Sequence, residues 1–213
     1  MSERPVNFPA EDGVLLEGLL DDEGEKGVLI LLHPHPLYGG EMHNPVIKTM
    51  KKTASEEGFS TLRFNFRGVG GSQGSYGEGV KERSDVKGAL NFLLSLNLKR
   101  PYLVGGYSFG SIVGTEVGME DDRIDGLILI SPPLFMSDFS LLLNFKKPKL
   151  IIAGDRDYLC PVESLKGLYE KLPDPKMLHI IEACDHFYSW GMHKAIAKPV
   201  RDFLRNYFST DVP

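Results

Sequence analysis

Leu103-Val104-Gly105-Gly106-Tyr107-Ser108-Phe109-Gly110-Ser111-Ile112-Val113 runs from an apolar strand through Gly-x-Ser-x-Gly into the spacing of a helix. Residues 101–104 read as a buried strand, and Ile112, Val113 and Val117 fall on one face of the helix that follows. A serine hydroxyl can be raised above a sheet edge only by a sharp strand-to-helix turn. Glycines two before and two after the serine leave room where a Cβ would collide with backbone. Gly106 and Gly110 occupy those places, so the stretch reads as a nucleophile elbow around Ser108. The plainer reading is a Gly/Ser turn that only joins strand to helix, and the rest of the chain decides between the two.

Upstream, residues 14–20 and 27–32 are strand-like runs separated by an acidic turn, and they look like an antiparallel hairpin leading into the sheet. The second run is apolar at every position, as expected of a strand buried on both faces, and ends in His33-Pro34-His35-Pro36-Leu37-Tyr38-Gly39-Gly40. Asn44-Pro45 supplies an N-cap and a first-turn proline for a helix that reaches Gly58. A strand at 60–66 leads into Arg67-Gly68-Val69-Gly70-Gly71-Ser72-Gln73-Gly74. That segment lacks the Lys-Ser/Thr of a phosphate-binding loop and does not open the first βαβ unit as a dinucleotide fingerprint would. It reads as a surface crossover into a helix over about 80–96, with Val86, Ala89, Leu90 and Leu93 on its apolar face.

Downstream, strands are expected at 124–131, 148–154 and 177–181, with helices at 163–172 and 195–208. The connection 132–145 is too short for an inserted cap and holds at most one small helix. Alternating strands and helices predict one α/β domain over residues 1–213: a mostly parallel sheet of about eight strands, helices on both faces and no cap domain.

Composition narrows the function. A chain of 213 residues with 42% hydrophobic and 25% charged residues fits one globular domain. Its net charge of −5 argues against a nucleic-acid partner, and no apolar stretch is long enough to cross a membrane. The first residues lack the apolar core of a secretory signal, so a cytoplasmic location is expected, with a small molecule as partner and a homodimer left open. Cys160 and Cys184 lack Cys-x-x-Cys spacing and are expected to be free thiols, a bridge between neighbouring loops being the alternative.

A serine hydroxyl is a weak nucleophile at neutral pH, so Ser108 needs a general base, and the base needs an acid to orient it. His186 and Asp157 each follow a predicted strand, in the chain order Ser, Asp, His found on α/β-hydrolase scaffolds. Asp155 is the rival acid, with turn stabilisation as its plainer role. Asp185, next to His186, reads as a turn or cap residue. His179 reads as a core histidine inside an apolar strand, and His193 falls near the last helix.

An oxyanion needs two N–H donors, and Phe109, after the serine, is one. In the 33–40 loop Pro34 and Pro36 carry no N–H, which leaves His35 as the only donor between residues 34 and 36. His33-Pro34-His35 is also compatible with a metal pair, but His43, His179 and His193 form no recognisable further ligand set. No metal or cofactor is expected.

Taken together, His33-Pro34-His35-Pro36 with Gly39-Gly40, Arg67-Gly68-x-Gly70-x-Ser72, the elbow, Gly154-x-x-Asp157 and Asp185-His186 resemble the α/β-hydrolase superfamily. Within it the chain is similar to the small lidless group related to dienelactone hydrolases and esterases. The resemblance covers about residues 14–205 and implies Ser108 as nucleophile, Asp157 as acid, His186 as base, and Phe109 and His35 as oxyanion donors. Pro34 departs from the His-Gly of many relatives. The function expected is a carboxylesterase for small short-acyl esters. A peptidase, amidase or thioesterase with the same triad is the alternative, and a non-catalytic binding protein is the reading from another class. Leu37, Tyr38, Leu134, Phe135, Leu159 and Phe187, with Phe109, are the candidates to enclose the acyl group.

Overall fold

The computed structural model describes residues 3–209. Eight strands form one sheet: β1 (Arg4–Pro9), β2 (Leu15–Asp21), β3 (Val28–Leu32), β4 (Ser60–Phe64), β5 (Tyr102–Tyr107), β6 (Ile124–Ile130), β7 (Lys149–Gly154) and β8 (Lys176–Ile181). Their spatial order is β1-β2-β4-β3-β5-β6-β7-β8, with β3 to β8 parallel and β1 and β2 antiparallel to their neighbours. The helices are α1 (Pro45–Glu56), α2 (Glu82–Ser95), α3 (Phe109–Glu120), α4 (Val162–Lys171) and α5 (Ala197–Phe208).

Strand β3 shows why the central runs are apolar throughout. Val28, Ile30 and Leu32 pack into the layer that holds α2 and α3, while Leu29 and Leu31 pack into the layer of α1 and α5, so all five are buried. Each such side chain contributes roughly 1.5–3 kcal/mol, and a polar residue at any of the five would face a dry layer. Helix α2 buries Val86, Ala89, Leu90 and Leu93, the spacing of one helical stripe. Helix α1 starts as its sequence dictates: Asn44 Oδ1 accepts the Val46 N–H at 2.9 Å, and Pro45 takes the first helical position.

Two expectations are corrected. The runs at 14–20 and 27–32 do not form a hairpin: β2 pairs with β1 and with β4, and β4 lies between β2 and β3. The 67–74 segment is the surface crossover expected, with five of its eight residues exposed, and it is anchored at two buried side chains. Arg67 is buried, its Nη2 2.6 Å from Asp85 Oδ1 and its Nη1 2.9 Å from Asp12 Oδ2, while Ser72 Oγ donates to the Asn65 carbonyl at 2.6 Å. These bonds tie the glycine-rich turns to α2 and to β4. His179 is exposed rather than in the core, because β8 is the edge strand of the sheet. The 132–145 connection holds one short 3-10 turn, Ser140–Asn144. No helix among the described residues is long and apolar enough to cross a membrane.

Candidate active site

The parallel strands β3, β5, β7 and β8 end at the same edge, and the residues that follow them are His33 to Tyr38, Ser108, Asp157 and His186. Ser108 sits between β5 and α3 with φ 51° and ψ −113°. A non-glycine residue held in such a conformation costs on the order of 1–3 kcal/mol and persists only where its surroundings impose it. Here two close approaches impose it. A Cβ on Gly106 would lie 2.2 Å from the Gly110 carbonyl oxygen, and one on Gly110 would lie 2.2 Å from that of Leu32. The elbow therefore folds only with glycine at both places.

Ser108 Oγ is 2.9 Å from His186 Nε2, and His186 Nδ1 is 2.9 Å from both carboxylate oxygens of Asp157. Since the carboxylate only accepts, Nδ1 carries the imidazole proton; Nε2 is then the acceptor and Ser108 the donor. Asp157 is fixed further by the N–H groups of Leu159 and Cys160, both 3.0 Å from Oδ1. Asp157 and His186 are each 3% exposed and Ser108 is 9% exposed, so the array is nearly dry but opens at the serine. The Tyr107 hydroxyl donates to the His186 carbonyl at 2.6 Å, and burial holds that phenol in its neutral form by raising its pKa. This contact ties the residue before Ser108 to the loop that carries the imidazole.

The competing residues have other work. Asp185 Oδ1 accepts from the N–H groups of Phe187 at 3.1 Å and Ser189 at 3.0 Å, closing the turn around His186. Asp155 is exposed. His33 is fully buried, with Nδ1 2.6 Å from the Pro34 carbonyl and Nε2 accepting from the Phe66 N–H at 3.1 Å. Burial holds its pKa down at about 4, which keeps the ring neutral. The ring of His35 accepts from the Leu37 N–H at Nδ1 (3.2 Å) and meets the Tyr76 hydroxyl at Nε2 (3.1 Å). Both nitrogens of each histidine are thus engaged within the protein. Among the described residues, no group of three or more His, Cys, Asp or Glu side chains is placed to hold a metal ion. Cys160 and Cys184 are free and buried, and burial raises both thiols, Cys184 to about 11.

Two backbone N–H groups lie near the array. That of Phe109, first residue of α3, has no acceptor within its helix. That of His35 has no acceptor among the described residues. Ring contacts hold their side chains together, 5.0 Å between centroids.

The cavity above Ser108 measures about 460 Å³. Of the expected substrate residues, Tyr38, Phe109, Leu159 and Phe187 line it. Leu37, Leu134 and Phe135 do not: Leu37 is 67% exposed, and Leu134 and Phe135 turn to a separate cleft shared with residues 136–140. Tyr107, Ile112, Pro133, Met136 and Tyr158 line the cavity and were not anticipated. Two had a usable signal, since Ile112 lies one helical turn beyond Ser108 and Tyr158 follows Asp157.

A parallel sheet with this elbow at one strand end, and an imidazole and a carboxylate brought to it from two others, defines an α/β hydrolase. The chain belongs to that family, whose model, described as an alpha/beta hydrolase domain, matches residues 26–198. It is 34% identical over 186 residues to the uncharacterized protein RP471 of Rickettsia prowazekii (strain Madrid E), covering 83% of this chain and 78% of that protein. An alpha-beta serine hydrolase homologue from Coxiella burnetii is similar over 96% of this chain and 98% of its own, with 30% identity and a TM-score of 0.87. The fold is also that of XC6422 from Xanthomonas campestris, described as an α/β serine hydrolase without a lid. That likeness covers 100% of this chain and 98% of the other, at 24% identity and a TM-score of 0.88.

Proposed function

We propose that this hydrolase is a serine carboxylesterase for small, uncharged, short-acyl esters. The observation that carries the reading is the unbroken chain of 2.9 Å hydrogen bonds from Ser108 through His186 to Asp157 beneath an open apolar cavity. In the first half-reaction Ser108 Oγ attacks the ester carbonyl while His186 Nε2 takes its proton. Asp157 holds the Nδ1–H tautomer and stabilises the imidazolium. The N–H groups of Phe109 and His35 receive the oxyanion. The tetrahedral intermediate collapses, His186 returns the proton to the departing alcohol, and an acyl-Ser108 ester remains. Water, activated by the same imidazole, then releases the carboxylic acid and restores the serine.

Substrate class follows from the lining. Among the described residues no Lys, Arg, Asp or Glu borders the cavity, so a charged group would lose its water there without gaining a partner. The acyl group meets Tyr38, Leu159, Phe187 and Ile112, and each methylene buried among them is worth roughly 0.8 kcal/mol, about fourfold in kcat/KM. Hydrolysis of p-nitrophenyl esters from acetate to palmitate tests the reading. The optimum is expected between about two and six acyl carbons, with no jump in rate at the micellar concentration because no lid has to open. An optimum at twelve or more carbons, or such a jump, contradicts it.

A further inference from the structure

A second cavity, of about 760 Å³, lies between α1 and the segment formed by the 3-10 turns Ser189–Ile196 and the start of α5, and shares no lining residue with the catalytic one. In a chain of net charge −5, its walls gather Lys48, Lys51, Lys52, Arg63, Lys194 and Arg201 against Glu3 and Glu56. Most of these charges are matched. Arg63 lies 2.6 Å from Glu3, Lys51 lies 2.8 Å from Asp21, Arg201 lies 2.8 Å from Glu56, and Lys52 is 3.8 Å from Glu56. Lys48 and Lys194 have no acidic partner among the described residues.

These two lysines converge on one group. His193 shares the cavity wall with them, and burial first, then the charges of Lys194 and Lys48, disfavour its imidazolium. The ring is fixed by its neighbour on α1. Thr49 gives its one hydroxyl proton to the Pro45 carbonyl at 2.9 Å, so it accepts from His193 Nδ1, also at 2.9 Å. His193 Nε2 is left without a partner among the described residues. The site therefore joins two uncompensated positive charges to an oriented imidazole that becomes a further donor once an anion beside it favours the second proton.

We propose that this cleft binds a soluble phosphate monoester. A phosphate monoester is a dianion near neutral pH and matches the two unpaired ammonium groups, whereas a carboxylate or a sulfate ester brings one charge. The volume, in the range of pockets that hold whole small molecules, leaves room for an organic body beyond the phosphate. Both walls also continue into the catalytic loops, since α1 follows the loop with His35 and the 189–196 turns follow His186.

The test is calorimetric titration of the full chain with phenyl phosphate at low ionic strength, with phenyl sulfate as the monoanionic match. Saturable binding of phenyl phosphate is expected, weaker by at least about tenfold for phenyl sulfate and for the Lys48→Ala/Lys194→Ala protein. Both lysines are exposed, so this variant should unfold at the native temperature. Ser108→Ala should bind as the native protein does. Absence of saturation, unchanged affinity in the lysine variant, or loss of binding in Ser108→Ala overturns the proposal. So does capture by phosphatidate vesicles at phosphate concentrations where phenyl phosphate does not bind, which would make the ligand a lipid headgroup.

Discussion

The array at Ser108 and the rim of the cavity above it are built in opposite ways. Ser108, Asp157 and His186 are buried, and each is held by backbone constraint or by hydrogen bonds of known direction. Around them Tyr38 is 83% exposed, Phe187 66%, Tyr158 63% and Met136 61%, with ring contacts but few polar ties. A site made this way fixes its chemistry and leaves its fit adjustable. Substitutions in the array should act on the chemical step, and substitutions on the rim should act weakly and through binding.

The sharpest break between the regions is at Asp157. Asparagine there offers an amide N–H toward Nδ1 and favours the tautomer with the proton on Nε2, which cannot accept from Ser108. Asp157→Asn should lower kcat about 10⁴-fold at neutral pH, while Asp155→Asn, at an exposed turn, should leave kcat near native. Steady-state kinetics on p-nitrophenyl butyrate checks this. A larger kinetic loss at Asp155 would reverse the assignment.

The scaffold under the array should show itself in pH dependence. His33 is neutral when folded, with a pKa of about 4, and protonation would set an N–H against the Phe66 N–H. Its folded pKa lies below the unfolded value of about 6.5, so the unfolded chain binds the proton first. The contribution is complete above about pH 6.5, declines as pH falls, and levels off below about pH 4, with a total of roughly 3 kcal/mol. Urea unfolding between pH 4 and 7 should show a steeper loss in the native chain than in His33→Gln. Equal slopes would place the His33 ring in contact with water.

What was legible in the sequence follows the same division. The elbow could be read because Gly106 and Gly110 face backbone at 2.2 Å, a constraint that only one residue type meets. Asn44-Pro45 marked the start of α1 because capping is local. Asp157 and His186 could be placed because each lies in the turn that follows a strand, and parallel strands deliver their ends to one edge. Strand partners were another matter. Nothing in residues 14–32 shows that β4 will enter between β2 and β3, because alternation fixes a strand's faces and leaves its neighbours open. The apolar run around His179 does not reveal that β8 is an edge strand. Leu134 and Phe135 were misplaced because the path of an irregular loop decides which of its apolar residues turn inward, and there it is Pro133 and Met136 that do.

The smallest effects are expected on the rim. Met136→Ala removes part of the cavity wall and should lower kcat/KM for the butyrate ester about two- to fivefold, mainly through KM. Leu37→Ala and Phe135→Ala lie off the cavity and should change neither constant. A tenfold effect at Phe135 would show that the 132–145 connection closes over the substrate during turnover.

The central claim is that Ser108 is made nucleophilic by His186. It is tested most directly by treating the native chain with a fluorophosphonate probe and mapping the adduct by peptide mass spectrometry. The account predicts one adduct, on Ser108, absent from Ser108→Ala and formed at least about 10³-fold more slowly in His186→Ala. No adduct on the native chain, an adduct on another residue, or labelling of His186→Ala at the native rate would contradict it.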